Sequence, residues 1–141
     1  IIGSEKVQEQ YGLKPLARIL SSAAAGIEPR IMGAGPIEAI KQAVKRAGLT
    51  LDDMDIIETN EAFASQVLSC LKGLDVTFDD SRVNPNGGGI AIGHPLGCSG
   101  ARLALTVARQ LQRTGKKYAV ISLCIGLGQG LAMVIENPEA A

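Results

Sequence analysis

An α/β layered fold with a largely parallel sheet is what this sequence predicts, and three observations carry that reading. Stretches with helical apolar spacing alternate along the chain with short β-branched or small-residue runs, the pattern that lays helices onto a sheet. Gly and Pro stand between these stretches where helices stop or start. Apolar residues make up 46% of the chain but aromatic ones only 3%, so the core is built from Ala, Ile, Leu and Val, as buried α/β sheets often are. At 141 residues the chain can bury such a core as one domain.

Taken in order, residues 4–12 read as a short helix stopped by Gly12, and 16–25 as a strand of apolar and small residues. Residues 26–35 are a loop broken by Pro29, Gly33 and Gly35. Pro36 opens a helix over 36–47 with Ile37, Ile40, Ala43 and Val44 on one face, and Gly48 ends it. Thr50 followed by Asp53 is a capped turn, and 55–59 a short strand centred on Ile56 and Ile57. Residues 61–72 read as a helix with Phe63, Val67 and Leu71 on one stripe, and 73–83 as a polar connection. After a glycine loop, 99–113 form a helix with Leu103, Leu105, Val107, Ala108 and Leu111 apolar. The runs 118–124 and 131–136 are strands, and the short glycine-rich turn between them makes an antiparallel pair.

Bulk composition excludes several classes of function. Lys plus Arg and Asp plus Glu balance at 14 each, so no net field recruits nucleic acid or an anionic membrane surface. No signal peptide and no apolar run long enough to span a bilayer is visible. Three widely spaced cysteines do not resemble a disulfide framework. A reducing compartment is expected, the cytoplasm or an organelle matrix. The chain opens on Ile1-Ile2-Gly3, as expected of a segment of something longer.

Three stretches carry the residues with chemistry. The run Asn84-Pro85-Asn86-Gly87-Gly88-Gly89-Ile90-Ala91-Ile92-Gly93-His94-Pro95 holds the only histidine. A glycine loop closed by proline delivers that ring to a helix start, where it acts as base or oxyanion donor or is simply satisfied by backbone. Cys124 ends a strand and precedes Gly126, Gly128 and Gly130. Its thiol can serve as acid or base beside amides that bind a developing oxyanion, or can pack as a small hydrophobe. Asn60, in Asn60-Glu61-Ala62-Phe63-Ala64, stands at a strand-to-helix corner, where it caps the helix or holds a water or carbonyl.

Other readings of the same residues fail on context. Gly126-Leu127-Gly128-Gln129-Gly130 is followed by a strand rather than the helix a dinucleotide fingerprint requires, and no glycine loop carries a Walker lysine. Cys70, Cys98 and Cys124 lack the paired spacing of a zinc site. Cys98 is expected to pack beneath the glycine loop.

Together these stretches resemble the C-terminal half of the thiolase family. Asn60-Glu61-Ala62-Phe63-Ala64, Gly93-His94-Pro95 with Leu96-Gly97-Cys98-Ser99-Gly100-Ala101-Arg102, and Cys124-Ile125-Gly126 match its motifs in the family's order and spacing. The likeness runs over about residues 14–136, with Gly89 standing where the family more often has alanine. It implies a thiolase-like half, a layered mixed sheet with helices on both faces. It also implies a division into 1–13, the tail of a preceding half, and 14–141, the C-terminal domain.

The chemistry so implied is acyl transfer between 3-ketoacyl-CoA and CoA, by thiolytic cleavage or by Claisen condensation in the opposite direction. By this resemblance His94 activates a nucleophilic cysteine, Asn60 holds a water of the oxyanion site, and Cys124 shuttles a proton. The Gly126 amide contributes a second oxyanion hole. No cofactor or metal is implied, because the coenzyme A thioesters are substrates. The nucleophilic cysteine belongs to the N-terminal half, so the isolated chain is expected to be inactive. Its partners are that half and further copies in a homodimer or homotetramer, and alone it is expected to self-associate. Degradative 3-ketoacyl-CoA thiolases of fatty-acid β-oxidation resemble it most, with acetyl-CoA acetyltransferases close behind. Ile31 and Met32 line the acyl pocket or belong to the core. The alternative function is a thiolase-like assembly or lipid-carrier module without catalysis.

Overall fold

Four strands form one sheet in the order β1-β4-β3-β2 in the computed structural model, which describes residues 1–140. They are β1 (Arg18–Gly26), β2 (Ile56–Thr59), β3 (Tyr118–Ile125) and β4 (Gln129–Glu136). Strand β2 pairs with β3 in parallel, while β4 pairs antiparallel with both β3 and β1. The largely parallel sheet expected from the alternation is therefore corrected to a mixed one, the layered mixed sheet that the family resemblance implies. The alternation of units does send β1, β2 and β3 in one direction. The hairpin-return strand β4 then inserts between β1 and β3 and turns two of the three pairings antiparallel.

Helices cover both faces. Helix α2 (Gly35–Arg46) begins with Pro36 in its first turn and buries Ala39, Ile40, Ala43 and Val44. With Leu71 of α3 (Ala64–Gly73), this stripe packs on Ala23, Ile57, Val120, Ala132 and Val134. Helix α5 (Leu96–Thr114) lays Leu103, Val107 and Leu111 on the opposite face, against Ile56, Ala119, Ile121 and Ile135. Alternate residues of β2, β3 and β4 thus serve opposite cores. Each of those three α5 side chains contributes about 2 kcal/mol by leaving water. Leu105 points away from the sheet and is exposed.

The local signals mostly act as expected. Ser4 caps α1 (Glu5–Tyr11), Gly12 terminates it in the left-handed region, and none of its residues is buried. Thr50 and Asp53 form a reciprocal capping box. Two boundaries differ. Helix α3 starts at Ala64 with Phe63 as its N-cap, so Phe63 lies outside the stripe and is exposed. Helix α5 starts three residues earlier than the sequence suggests, with Pro95 as its N-cap. A short helix α4 (Gly89–Ile92) lies within the glycine loop. The connection over 73–83 is anchored: Arg82 donates to the carbonyls of Leu51 and Met54 and pairs with Asp80, and Val83 bridges to Ile57. Among the described residues no helix is long and apolar enough to cross a membrane.

Candidate active site

The three co-directional strands end at one edge of the sheet, where open α/β sheets place their ligands. Asn60 follows β2 directly, Cys124 is the penultimate residue of β3, and the glycine loop closes over the same edge.

Asn60 does not cap α3. Its backbone amide donates to the Ser122 carbonyl, extending the β2–β3 pairing by one step, and its carbonyl accepts from Ala62. The side chain is fully buried and its Nδ2 lies 3.3 Å from His94 Nε2. Its Oδ1 is buried with no protein partner. An unpaired buried amide oxygen is costly, and here it offers an acceptor to a bound water or substrate group.

His94 is half-buried, two residues before α5. Gly93 precedes it at φ +90°, a turn that only glycine makes without strain. On its other edge, Nδ1 lies 2.6 Å from Ser99 Oγ. Ser99 is buried in the first turn of α5, and its hydroxyl also reaches the Pro95 carbonyl at 3.3 Å. The ring is thus gripped from two sides, by the residue that follows β2 and by α5.

The glycine loop is itself fastened by side chains. Glu61 accepts from the Ile90 amide at 3.0 Å and from Asn84 Nδ2 at 2.9 Å. Asn84 also bonds both the amide and the carbonyl of Thr59. A Cβ at Gly88 would fall 2.6 Å from the Glu61 carboxyl carbon, so the loop needs glycine there to admit the carboxylate. At Gly89 a Cβ would sit 3.0 Å from the Glu61 carbonyl oxygen and 3.6 Å from Asn60 Oδ1.

Cys124 is half-buried, and burial pushes its thiol up from the ordinary cysteine value. At neutral pH the group is a thiol that can give a proton rather than a standing thiolate. It pairs across the ladder with Gly130. The turn that follows carries Leu127 and Gly128 at φ +67° and +84°. Gly126 is exposed, with open space about it. Cys124 makes no side-chain hydrogen bond to Asn60 or His94 among the described residues; what joins it to them is the shared sheet edge.

Beneath the site, the Glu58 carboxylate is buried against Arg102 at 2.9 Å. Desolvation pushes its carboxyl up despite the opposing pull of Arg102. Cys70 is fully buried and pushed up to about 11 by desolvation, donating to the Gly33 carbonyl. Cys98 does not pack beneath the loop: it is exposed on the first turn of α5, because the helix starts early and turns that position outward. Ile31 is exposed and Met32 half-buried, so Ile31 is not a core residue.

The sequence nominated Asn60, His94, Cys124 and Gly126. The first two are brought into contact, and the latter two lie on the neighbouring strand end and turn. It did not single out Ser99, Glu61 or Asn84. Ser99 was legible only as the buried face of a helix starting at Leu96, which puts it one turn beyond Pro95.

Residues 13–137 match the family described as thiolase, C-terminal domain. A beta-ketoadipyl-CoA thiolase of Acinetobacter baylyi is 57% identical over 97% of this chain and 34% of its own length. A 3-ketoacyl-CoA thiolase of Aliivibrio salmonicida is 52% identical over 98% of this chain and 36% of its own. The crystal structure of human mitochondrial 3-ketoacyl-CoA thiolase in complex with CoA superposes with a TM-score of 0.92 at 50% identity, over 96% of this chain and 34% of that one. The chain spans about a third of the length of the curated relatives it matches.

Proposed function

This chain belongs to the thiolase family as a C-terminal domain, and from that premise we propose that it carries half of an acyl-transfer site for 3-ketoacyl-CoA and CoA. The observation that carries the proposal is the imidazole of His94, held at Nδ1 by Ser99 and turned at Nε2 toward Asn60. That arrangement supports His94 Nε2 as the base that takes the proton of a nucleophilic thiol. The thiol itself would come from an N-terminal half, since Cys70 is buried and bonded to backbone and Cys98 and Cys124 lie outside such a motif.

In the cleavage direction the nucleophile attacks the 3-keto carbon and the bond between the α and keto carbons breaks. Cys124, a thiol raised by burial, then protonates the α-carbon of the departing acetyl-CoA. In the second half of the cycle free CoA gives its thiol proton to the Cys124 thiolate and takes the acyl group. The nucleophilic thiolate leaves and regains its proton from His94, and condensation runs the steps in reverse. The unpaired Oδ1 of Asn60 supports its role as holder of a water, and the uncrowded backbone of Gly126 supports that of oxyanion donor. Coenzyme A thioesters enter as substrates, and the chemistry calls for neither a metal nor a resident cofactor.

Several finer readings belong to the same proposal. Residues 1–13 form the tail of the preceding half, and 14–141 the domain proper. The isolated chain is inactive and pairs with an N-terminal half inside a homodimer or homotetramer. Exposed Ile19, Leu105 and Leu131 fit an apolar surface that such assembly covers. Three free cysteines fit a reducing compartment, cytoplasm or organelle matrix. For substrate we propose a degradative 3-ketoacyl-CoA thiolase. Relatives named for beta-ketoadipyl-CoA and for 3-ketoacyl-CoA are similar to the chain at 57% and 52% identity, so both substrate classes enter the test.

The test is thiolysis by this chain assembled with a thiolase N-terminal half. Acetoacetyl-CoA, a long-chain 3-ketoacyl-CoA and 3-oxoadipyl-CoA are compared. Cleavage that falls at least about a thousandfold in His94→Ala and in Cys124→Ala is the expected result. A folded, assembled complex that cleaves none of the three would move the reading to a non-catalytic assembly module.

A further inference from the structure

We propose that Ser99 is a positioning residue that keeps the proton of the His94 imidazole on Nδ1, leaving the Nε2 lone pair free to act as base. Its consequence for turnover rests on the acyl-transfer reading above; the proton arrangement itself does not.

The argument is an accounting of donors. Asn60 Nδ2 faces His94 Nε2 at 3.3 Å, and an amide nitrogen only donates, so Nε2 is the accepting nitrogen of the ring. A neutral imidazole has one donor and one acceptor, so the proton sits on Nδ1 and donates to Ser99 Oγ at 2.6 Å. A hydroxyl has one proton of its own, and that proton goes on to the Pro95 carbonyl at 3.3 Å. This arrangement serves all three contacts and runs in a single direction from Asn60 through His94 and Ser99 to Pro95. The opposite tautomer would set Nε2–H against the Asn60 N–H, two donors head to head.

Position and burial make the device firm. Ser99 is 2% exposed, on the long helix α5 one turn beyond Pro95, whose carbonyl also accepts from the amides of Cys98 and Ser99. Water therefore does not compete for the hydroxyl. The Asn60 contact at 3.3 Å is at the weak end of hydrogen bonding, so Nε2 can exchange it for an incoming thiol. When the thiol proton moves to Nε2, a thiolate and an imidazolium form together. The Nδ1–H of that cation stays on Ser99, a charge-assisted bond stronger than the neutral one. The proton returns from the same nitrogen to the nucleophilic thiolate when CoA takes the acyl group from it.

His94 is the only histidine of the chain, so isotope-labelled histidine in this chain, assembled with an unlabelled thiolase N-terminal half, reports its ring nitrogens alone by NMR. The wild type is expected to carry the proton on Nδ1. Ser99→Ala is expected to give a mixture of both tautomers and to lower kcat about thirtyfold with KM within about twofold. Ser99→Thr restores both. A wild-type ring protonated on Nε2, or a Ser99→Ala ring that keeps its Nδ1 proton and its kcat, would overturn the proposal. Should Ser99→Ala fail to assemble, Ser99→Cys substitutes a weaker acceptor. A spectrum and kcat equal to wild type in that variant overturns the proposal equally, and a mixed tautomer supports it. Wild-type complex without thiolysis would sink the acyl-transfer reading, yet the NMR would still decide the tautomer.

Discussion

His94 and Cys124 stand at the same edge of the sheet, but one is held by side chains and the other by backbone. The histidine depends on Ser99, Asn60, Glu61 and Asn84, four polar side chains from α5 and the loops between β2 and α5. The cysteine depends on the β3–β4 ladder and on close backbone approach. Its cross-strand neighbour Gly130 lies against the backbone of Gly35 and Pro36, and the Gly128 carbonyl accepts from the Ile27 amide. As the base we propose, His94 has to be aimed, and aiming takes directional bonds to both ring nitrogens. As the proton donor we propose, Cys124 needs mainly a fixed place. The two regions should therefore fail in different ways.

The largest effect is expected from bulk on the backbone-held side. A Cβ at Gly130 would collide with Gly35 backbone, which cannot give way. Gly130→Ala should lower stability by about 3 kcal/mol or more in a urea titration of the assembled protein. Gly126→Ala meets nothing within 4 Å and should lie within about 0.5 kcal/mol of wild type. Equal losses at the two glycines would break the distinction.

Next comes the side-chain-held region. Glu61→Ala removes the acceptor of the Ile90 amide and of Asn84 and should cost about 2 kcal/mol. Thiolysis should fall about tenfold as the loop carrying His94 loosens, while the reactivity of Cys124 toward an alkylating agent stays unchanged. Glu61→Gln keeps an acceptor oxygen and should recover part of both losses.

The smallest effect is a pH dependence beneath both regions. Burial raises the Glu58 carboxyl, so the folded state holds that proton more tightly than the unfolded state. Its contribution to stability is then largest at low pH. It declines as pH rises from the ordinary carboxylate range through the raised value, and is level above it. Chemical denaturation across that range should show a falling component that Glu58→Gln removes. A component that instead rises with pH would mean that Arg102, at 2.9 Å, outweighs desolvation.

Much of this was legible in the sequence, and the reason differs by region. Motif glycines and the lone histidine mark turns and chemistry locally, and the resemblance to the thiolase family is what singles out Asn60, His94, Cys124 and Gly126 before any coordinates. Helix stripes such as Leu103, Val107 and Leu111 announce their buried face by period alone. The insertion of β4 between β1 and β3 could not be read, because which strands neighbour one another is decided across more than 90 residues of chain. Nor could the grip of Ser99 on His94 be read, since it depends on α5 beginning at Leu96 rather than at Ser99. Arg82 looked like one charge in a polar connection, yet it ties that connection to the turn before β2 through the carbonyls of Leu51 and Met54.

The central claim is that two groups held so differently serve one reaction, and a double-mutant cycle tests it most directly. Thiolysis would be measured in the assembled complex for His94→Ala, Cys124→Ala and the pair together. Groups that act as a unit lose little more when both are removed than when one is, so the double variant should lie within about tenfold of the slower single one. Losses that multiply in full, or a single variant that keeps wild-type turnover, would contradict the account.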